Sequence, residues 1–125
     1  QLTNQERYLL PRADVEIDDF SEINEELVEN LAKMEPFGNG NPEPVLKITT
    51  ASVLSARRMG ADGQHVKLAL RDKNGKVLQM LAFNAPEEFF HEPGDEVAAW
   101  FQPTINEWQG ARTVEGKLLH VVAVY

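Results

Sequence analysis

The sequence contains no cysteine. That excludes a disulfide framework and any thiolate metal site. No apolar run approaches the ~20 residues a membrane-crossing helix needs, and the opening residues lack the charged-then-apolar pattern of a secretory signal. These absences lead to the expectation of a cytoplasmic protein with no membrane partner. Histidine is scarce: His65, His91 and His120 stand far apart, without metal-ligand spacing. Basic residues are also few, 12 Lys and Arg against 20 Asp and Glu, for a net charge of −8.

Taken whole, that balance argues against a nucleic-acid partner, but its distribution does not. Residues 1–45 hold eleven acidic side chains and three basic ones, while residues 46–125 hold nine of each. The entire net charge sits in the leader, and a neutral remainder can still carry a basic face. The 125 residues are one domain's worth of chain.

Residues 1–20 show no clean period and read as an extended acidic connector, with room for one short strand at Ala13–Ile17. The connector is expected to be dispensable for folding. Ser21 or Asn24 can cap a helix start. Ile23, Leu27, Leu31 and Met34 recur at helical spacing and read as a core-packing stripe. Glu22, Glu25, Glu26 and Glu29 take the solvent side. Pro36 ends the helix, and Pro36–Pro44 reads as a rigid loop from which Phe37 packs inward.

From Val45 the pattern becomes β. Val45–Arg58 reads as one bent strand and Gly60–Gly63 as a turn. His65–Arg71 alternates, with Val66, Leu68 and Leu70 on one side and His65, Lys67 and Arg71 on the other. Asn74-Gly75 is a hairpin signal. Val77–Phe83 is nearly all apolar and is expected to be covered on both faces. Pro86–His91 reads as a short helix, Glu96–Gln102 as the fourth strand, Asn106–Gly110 as a hairpin turn and Ala111–Val124 as the last strand. The outcome is an acidic connector, helix and junction loop over residues 1–44, and a small five-stranded β-barrel over residues 45–125. Spacing alone does not choose between an OB fold and an SH3-like barrel.

Three stretches resemble the RecJ family of single-strand DNA exonucleases, in the family's order. The first is Leu31–Val45, with its Glu-Pro-Phe-Gly-Asn-Gly-Asn-Pro-Glu-Pro core. The second is Gly63-Gln64-His65-Val66-Lys67-Leu68, followed by Leu81-Ala82-Phe83-Asn84. The third is Asn106-Glu107-Trp108-Gln109-Gly110-Ala111-Arg112-Thr113. Gln64, Gln109 and Glu115 depart from the usual residues. The resemblance implies an all-β domain with a short N-terminal helix, a five-stranded OB-fold barrel. It also implies a single-stranded DNA-binding module that holds or threads the strand for a DHH-type catalytic core acting 5′ to 3′ in DNA repair and recombination. Manganese or magnesium would belong to that core. No cofactor is expected in this domain.

The chain has no Asp-His-His triplet, and paired metal centres need clustered carboxylates and imidazoles. Asp18–Asp19 and Glu87–Glu88 read as solvated surface. No catalytic residue is assigned, and this chain alone is not expected to be an enzyme. For DNA contact the chemistry wants cations along a groove and flat rings on which bases stack. The candidates are Arg57, Arg58, His65, Lys67, Trp108 and Arg112. Lys47 and Arg71 stand equally between contact and plain solvation. Trp108 either stacks on a base or, as its size favours, folds back to cap the barrel. Arg112 meets either a phosphate or Glu107. The alternative function is a structural or protein-docking barrel that packs on the nuclease core or a repair protein.

Overall fold

A computed structural model describes residues 12–33 and 43–124. Six strands follow from the alternation of apolar and polar side chains: β1 (Val15–Ile17), β2 (Leu46–Met59), β3 (His65–Arg71), β4 (Val77–Ala82), β5 (Glu96–Trp108) and β6 (Ala111–Ala123). One helix, α1 (Glu25–Ala32), lies between β1 and β2, and a 3-10 turn spans Glu87–Phe89. The strands form one mixed sheet in the order β1-β2-β3-β4-β6-β5, and β5 also pairs with β2. Five of the six strands therefore pair around a partial ring.

The length of β2 makes this possible. Its first half pairs with β5 and its second half with β3, and the register shifts between Ile48 and Ala51 and again between Val53 and Ser55. Such bulges bend a strand and increase its twist, so one strand can serve two neighbours. The join on the far side is slight: β4 and β6 run parallel over three paired residues, Gln79 with Glu115, Met80 with Gly116 and Leu81 with Lys117. Gly116 is needed there, because a Cβ would overlap the Met80 sulfur and come within 3.1 Å of the Phe101 ring.

Residues 45–125 hold five strands, and the short strand allowed at Ala13–Ile17 is β1, which adds a sixth by joining β2 in parallel register. Several expectations are corrected. β4 is not covered on both faces: Leu78, Met80 and Ala82 are buried, whereas Val77 is exposed and Gln79 and Leu81 are half-buried. β5 continues past Gln102 to Trp108 despite Pro103. Among the described residues its only strand partner beyond Phe101 is β6, so the amide hydrogen that proline lacks has no second described strand to serve. The β5–β6 turn is just Gln109 and Gly110, both at positive φ, the pairing a two-residue hairpin demands. The insert before β5 is a single 3-10 turn.

Asn24 caps α1, its side-chain oxygen accepting the Leu27 amide at 2.9 Å. Of the proposed stripe, Ile23 is buried and Leu27 packs against the core from a half-buried position. Leu31 is half-buried, and Met34 and Phe37 lie outside the described residues. The anchor of the leader is instead Phe20, at 0% exposure, its ring edge-on to Phe101 at 6.1 Å.

Asp72, at the start of the β3–β4 turn and 6% exposed, holds this segment. One oxygen accepts the Phe20 amide at 2.8 Å. The other accepts the amides of Asn74 at 2.9 Å and Lys76 at 2.8 Å. Around it Lys73 reaches Asp18, Asn74 reaches Asp19 and the Lys76 ammonium donates to the Ile23 carbonyl. The β3–β4 turn thus clasps the connector just before α1.

Candidate nucleic-acid interface

Strand pairing puts partnered residues on the same face of a sheet. On the outward face Arg57 stands opposite Lys67, Lys67 opposite Leu81, Leu81 opposite Lys117, and Lys117 opposite Gln102. This is one row across β2, β3, β4, β6 and β5, with three cations and an apolar centre. Like charges directly opposite each other, as in Arg57 and Lys67, cost stability. A polyanion laid along the row would relieve that repulsion.

Beside the row stands an exposed aromatic. Phe83 follows β4 and is 65% exposed. The His65 ring meets it edge-on at 5.0 Å. His65 Nδ1 in turn accepts the amide of Asn84 at 3.0 Å, with Asn84 at a positive φ of 50°. The face therefore combines cations with a flat, wet ring, the pairing that single-strand binding uses.

The six candidate residues do not gather in one place. Arg57, His65 and Lys67 share the outward face. Arg58 turns to the other side, ion-paired with Glu87 at 3.3 Å and lying over the Phe90 ring at 4.2 Å. Arg112 is also turned away. It bonds Glu107 at 2.6 Å and Glu25 at 2.9 Å, with Glu29 at 4.0 Å, and so braces α1 against the β5–β6 hairpin. The Glu25 hydrogen bond, aided by the charges of Glu107 and Glu29, raises the Arg112 pKa against the effect of burial. Of its two expected partners, the structure supplies Glu107. Lys47 lies over the Trp100 ring at 4.8 Å, and Arg71 is exposed beside Asp72.

Trp108 does not fold back. It stands 71% exposed at the end of β5, on the same face as Thr104 and Gln102. Gln102 lies six residues away along the strand, roughly 20 Å. With so little buried surface, Trp108→Ala should change unfolding stability by no more than ~0.5 kcal/mol, as for most surface changes. A urea titration checks this, and a loss above ~2 kcal/mol would restore the capping role.

Sequence reasoning missed Lys117, Leu81 and Phe83. Lys117 occupies an outward alternate position on the last strand, but nothing local links it to Lys67; β4 makes that link. Leu81 and Phe83 were hidden by the apolar composition of their strand. Among the described residues, no three His, Asp or Glu side chains gather so as to hold a metal ion. No described helix is long and apolar enough to cross a membrane.

Comparison with known proteins bears on this geometry. A family model described as the RecJ OB domain matches residues 13–120. The single-stranded-DNA-specific exonuclease RecJ of Bacillus subtilis (strain 168) is 30% identical over 101 residues, covering 78% of this chain and 13% of that protein. Among solved structures, RecJ of Thermus thermophilus in complex with Mn2+ aligns with a TM-score of 0.60 at 29% identity, over 78% of this chain and 13% of that one. The same protein in complex with Mg2+ aligns at 0.58 and 28% identity, over 77% of this chain and 14% of that one. The chain thus spans a small fraction of the length of the relatives it matches.

Proposed function

The chain belongs to the RecJ OB domain family, and from that premise we propose that it is the single-strand DNA-binding module of a RecJ-like 5′–3′ exonuclease. It holds or threads the strand for a separate DHH-type catalytic domain that carries manganese or magnesium, in the cytoplasm, in DNA repair and recombination. The ring of β2, β3, β4, β6 and β5 is then a five-stranded OB barrel, with residues 45–125 as its body and residues 1–44 as the connector, helix and junction. The observation that carries the reading is the row Arg57, Lys67 and Lys117, with Phe83 beside it, on one face of a chain whose net charge is −8. In so acidic a protein, three aligned cations and a wet aromatic ring have little structural use together.

Binding to single strands is expected to be weak, ~10⁻⁴ to 10⁻⁶ M at physiological salt, and tighter than binding to duplex. Lys67→Ala and Lys117→Ala should each weaken binding evenly across sequences. Each should reduce the slope of log K against log salt by about 0.7, the single-strand value for one lost phosphate contact. Fluorescence anisotropy with labelled oligo-dT at three salt concentrations checks this. Unchanged slopes in folded variants would move the DNA path off this face.

A protein-docking role has its own support elsewhere on the molecule. Trp108 is presented at the end of a hairpin that Arg112 links to α1 through Glu107 and Glu25, an arrangement suited to packing on the catalytic core or on a repair protein. Loss of core association in Trp108→Ala, with DNA binding unchanged, would support it.

A further inference from the structure

At one end of the cation row the outward face sinks into a hollow of about 340 Å³, within the range of small-molecule sites. Leu81 and Phe83 form apolar walls, Lys117 stands at the edge, and Gln102 and Glu115 line the interior with Glu43. The Gln102 amide donates to the Glu43 carbonyl at 3.2 Å, which fixes one rim. Gly116 contributes backbone to the lining of the hollow. Register places Glu115 outward between Gln79 and Thr104, one alternate position from Lys117.

The chemistry of this hollow differs from that of the row. The Glu115 carboxylate repels a phosphate, so the backbone of a bound strand should stay on Arg57, Lys67 and Lys117. What enters between Leu81 and Phe83 must be flat and must present N–H groups to carboxylate oxygens, which only accept hydrogen bonds. A nucleobase turned out from the strand meets both demands. Guanine alone carries two adjacent donors, N1–H and the 2-amino group, on its Watson–Crick edge, matching a carboxylate in bidentate fashion. Thymine sets one N–H between two carbonyls, which a carboxylate repels.

We propose that this hollow is a base-reading pocket in which Glu115 selects guanine, with Phe83 and Leu81 flanking the ring and Lys117 meeting the adjoining phosphate. The inference rests on the reading that the row binds single-stranded DNA, and makes that binding base-selective at one position of the strand.

The test compares oligo-dT of about twelve nucleotides, within the span of one OB fold, with the same oligomer carrying a single central dG or deoxyinosine. Anisotropy is read at low salt for the wild-type chain, Glu115→Gln and Lys67→Ala. The single dG should tighten wild-type binding roughly tenfold, the lower range for a good bidentate base contact. Deoxyinosine, which lacks the 2-amino group, should lose most of that gain, a result that needs no protein variant. Glu115→Gln should cut the dG preference below about twofold without weakening oligo-dT binding. Lys67→Ala should weaken both oligomers alike. Wild-type protein that binds oligo-dT without preferring dG would overturn the pocket and leave the binding face standing. So would a preference that survives in Glu115→Gln or extends equally to deoxyinosine. Failure to bind any of the oligomers would remove both readings together.

Discussion

Replacing Asp72 with alanine should lower the free energy of unfolding by about 3 kcal/mol or more, because three backbone amides would lose a buried, charged acceptor at once. None of them has an obvious substitute: the Phe20 amide is deep in the core, and those of Asn74 and Lys76 close the β3–β4 turn. Asp72→Asn should recover part of the loss, since one oxygen remains while the new amide group faces a donor. Urea unfolding at neutral pH reads both. A loss for alanine below ~1 kcal/mol would mean that the connector is held by packing alone. The effect should also depend on pH. Burial pushes the Asp72 carboxyl up, but the three amide donors outweigh it and hold the group below the usual carboxylate range. A carboxyl depressed in the folded state stabilises fully above its unfolded value, about 3.9. That contribution disappears as pH falls through the lower folded value. The wild type should therefore lose stability on acidification below about pH 4 more steeply than Asp72→Ala.

Phe20→Ala should cost about 3–5 kcal/mol, the range for emptying a fully buried aromatic site. Its ring is completely enclosed and meets Phe101 edge-on in the centre of the sheet. For the same reason, deleting residues 1–20 should destabilise the protein at least as much, since β1 is lost with the ring. A truncated chain that melts at the wild-type temperature would show that water or neighbouring side chains can fill the site. Phe20→Ala and Asp72→Ala act on one segment, so their combined cost should fall short of additivity.

The connector is where the sequence was least legible. Phe20 is flanked by Asp18, Asp19, Ser21 and Glu22, and nothing local separates a buried phenylalanine from an exposed one in such company. Its partners, Asp72 and Phe101, are more than fifty residues away. Arg112 poses the same problem: Glu107 was visible across the turn, whereas Glu25, on α1, was not. By contrast β3 was plain from strict alternation and the β3–β4 turn from Asn-Gly, whereas the β5–β6 turn was placed too broadly over Asn106–Gly110 and the α1 cap was left between Ser21 and Asn24. The candidate face was half legible. His65 and Lys67 follow from alternation along β3, and Arg57 from its place at the end of the preceding strand. Lys117, Leu81 and Phe83 required the parallel β4–β6 join, which brings together segments separated by a whole hairpin and turn. The family itself was carried by Leu31–Val45 and two shorter stretches.

That short parallel join also governs the order in which the molecule can form. β3 and β4 can pair as soon as they exist, since a five-residue turn connects them. The β2–β5 pairing must wait for residues 96–101, and the final join waits for residues 115–117 of the last strand. Until then β2 and β4 each present an unpaired edge of Val, Leu, Ile and Met, the kind of surface that recruits other chains. Pairings between residues so distant in sequence slow folding to the millisecond-to-second range seen for β-rich domains. The acidic residues before β2 carry all of the net charge, and like charge of that kind opposes such association.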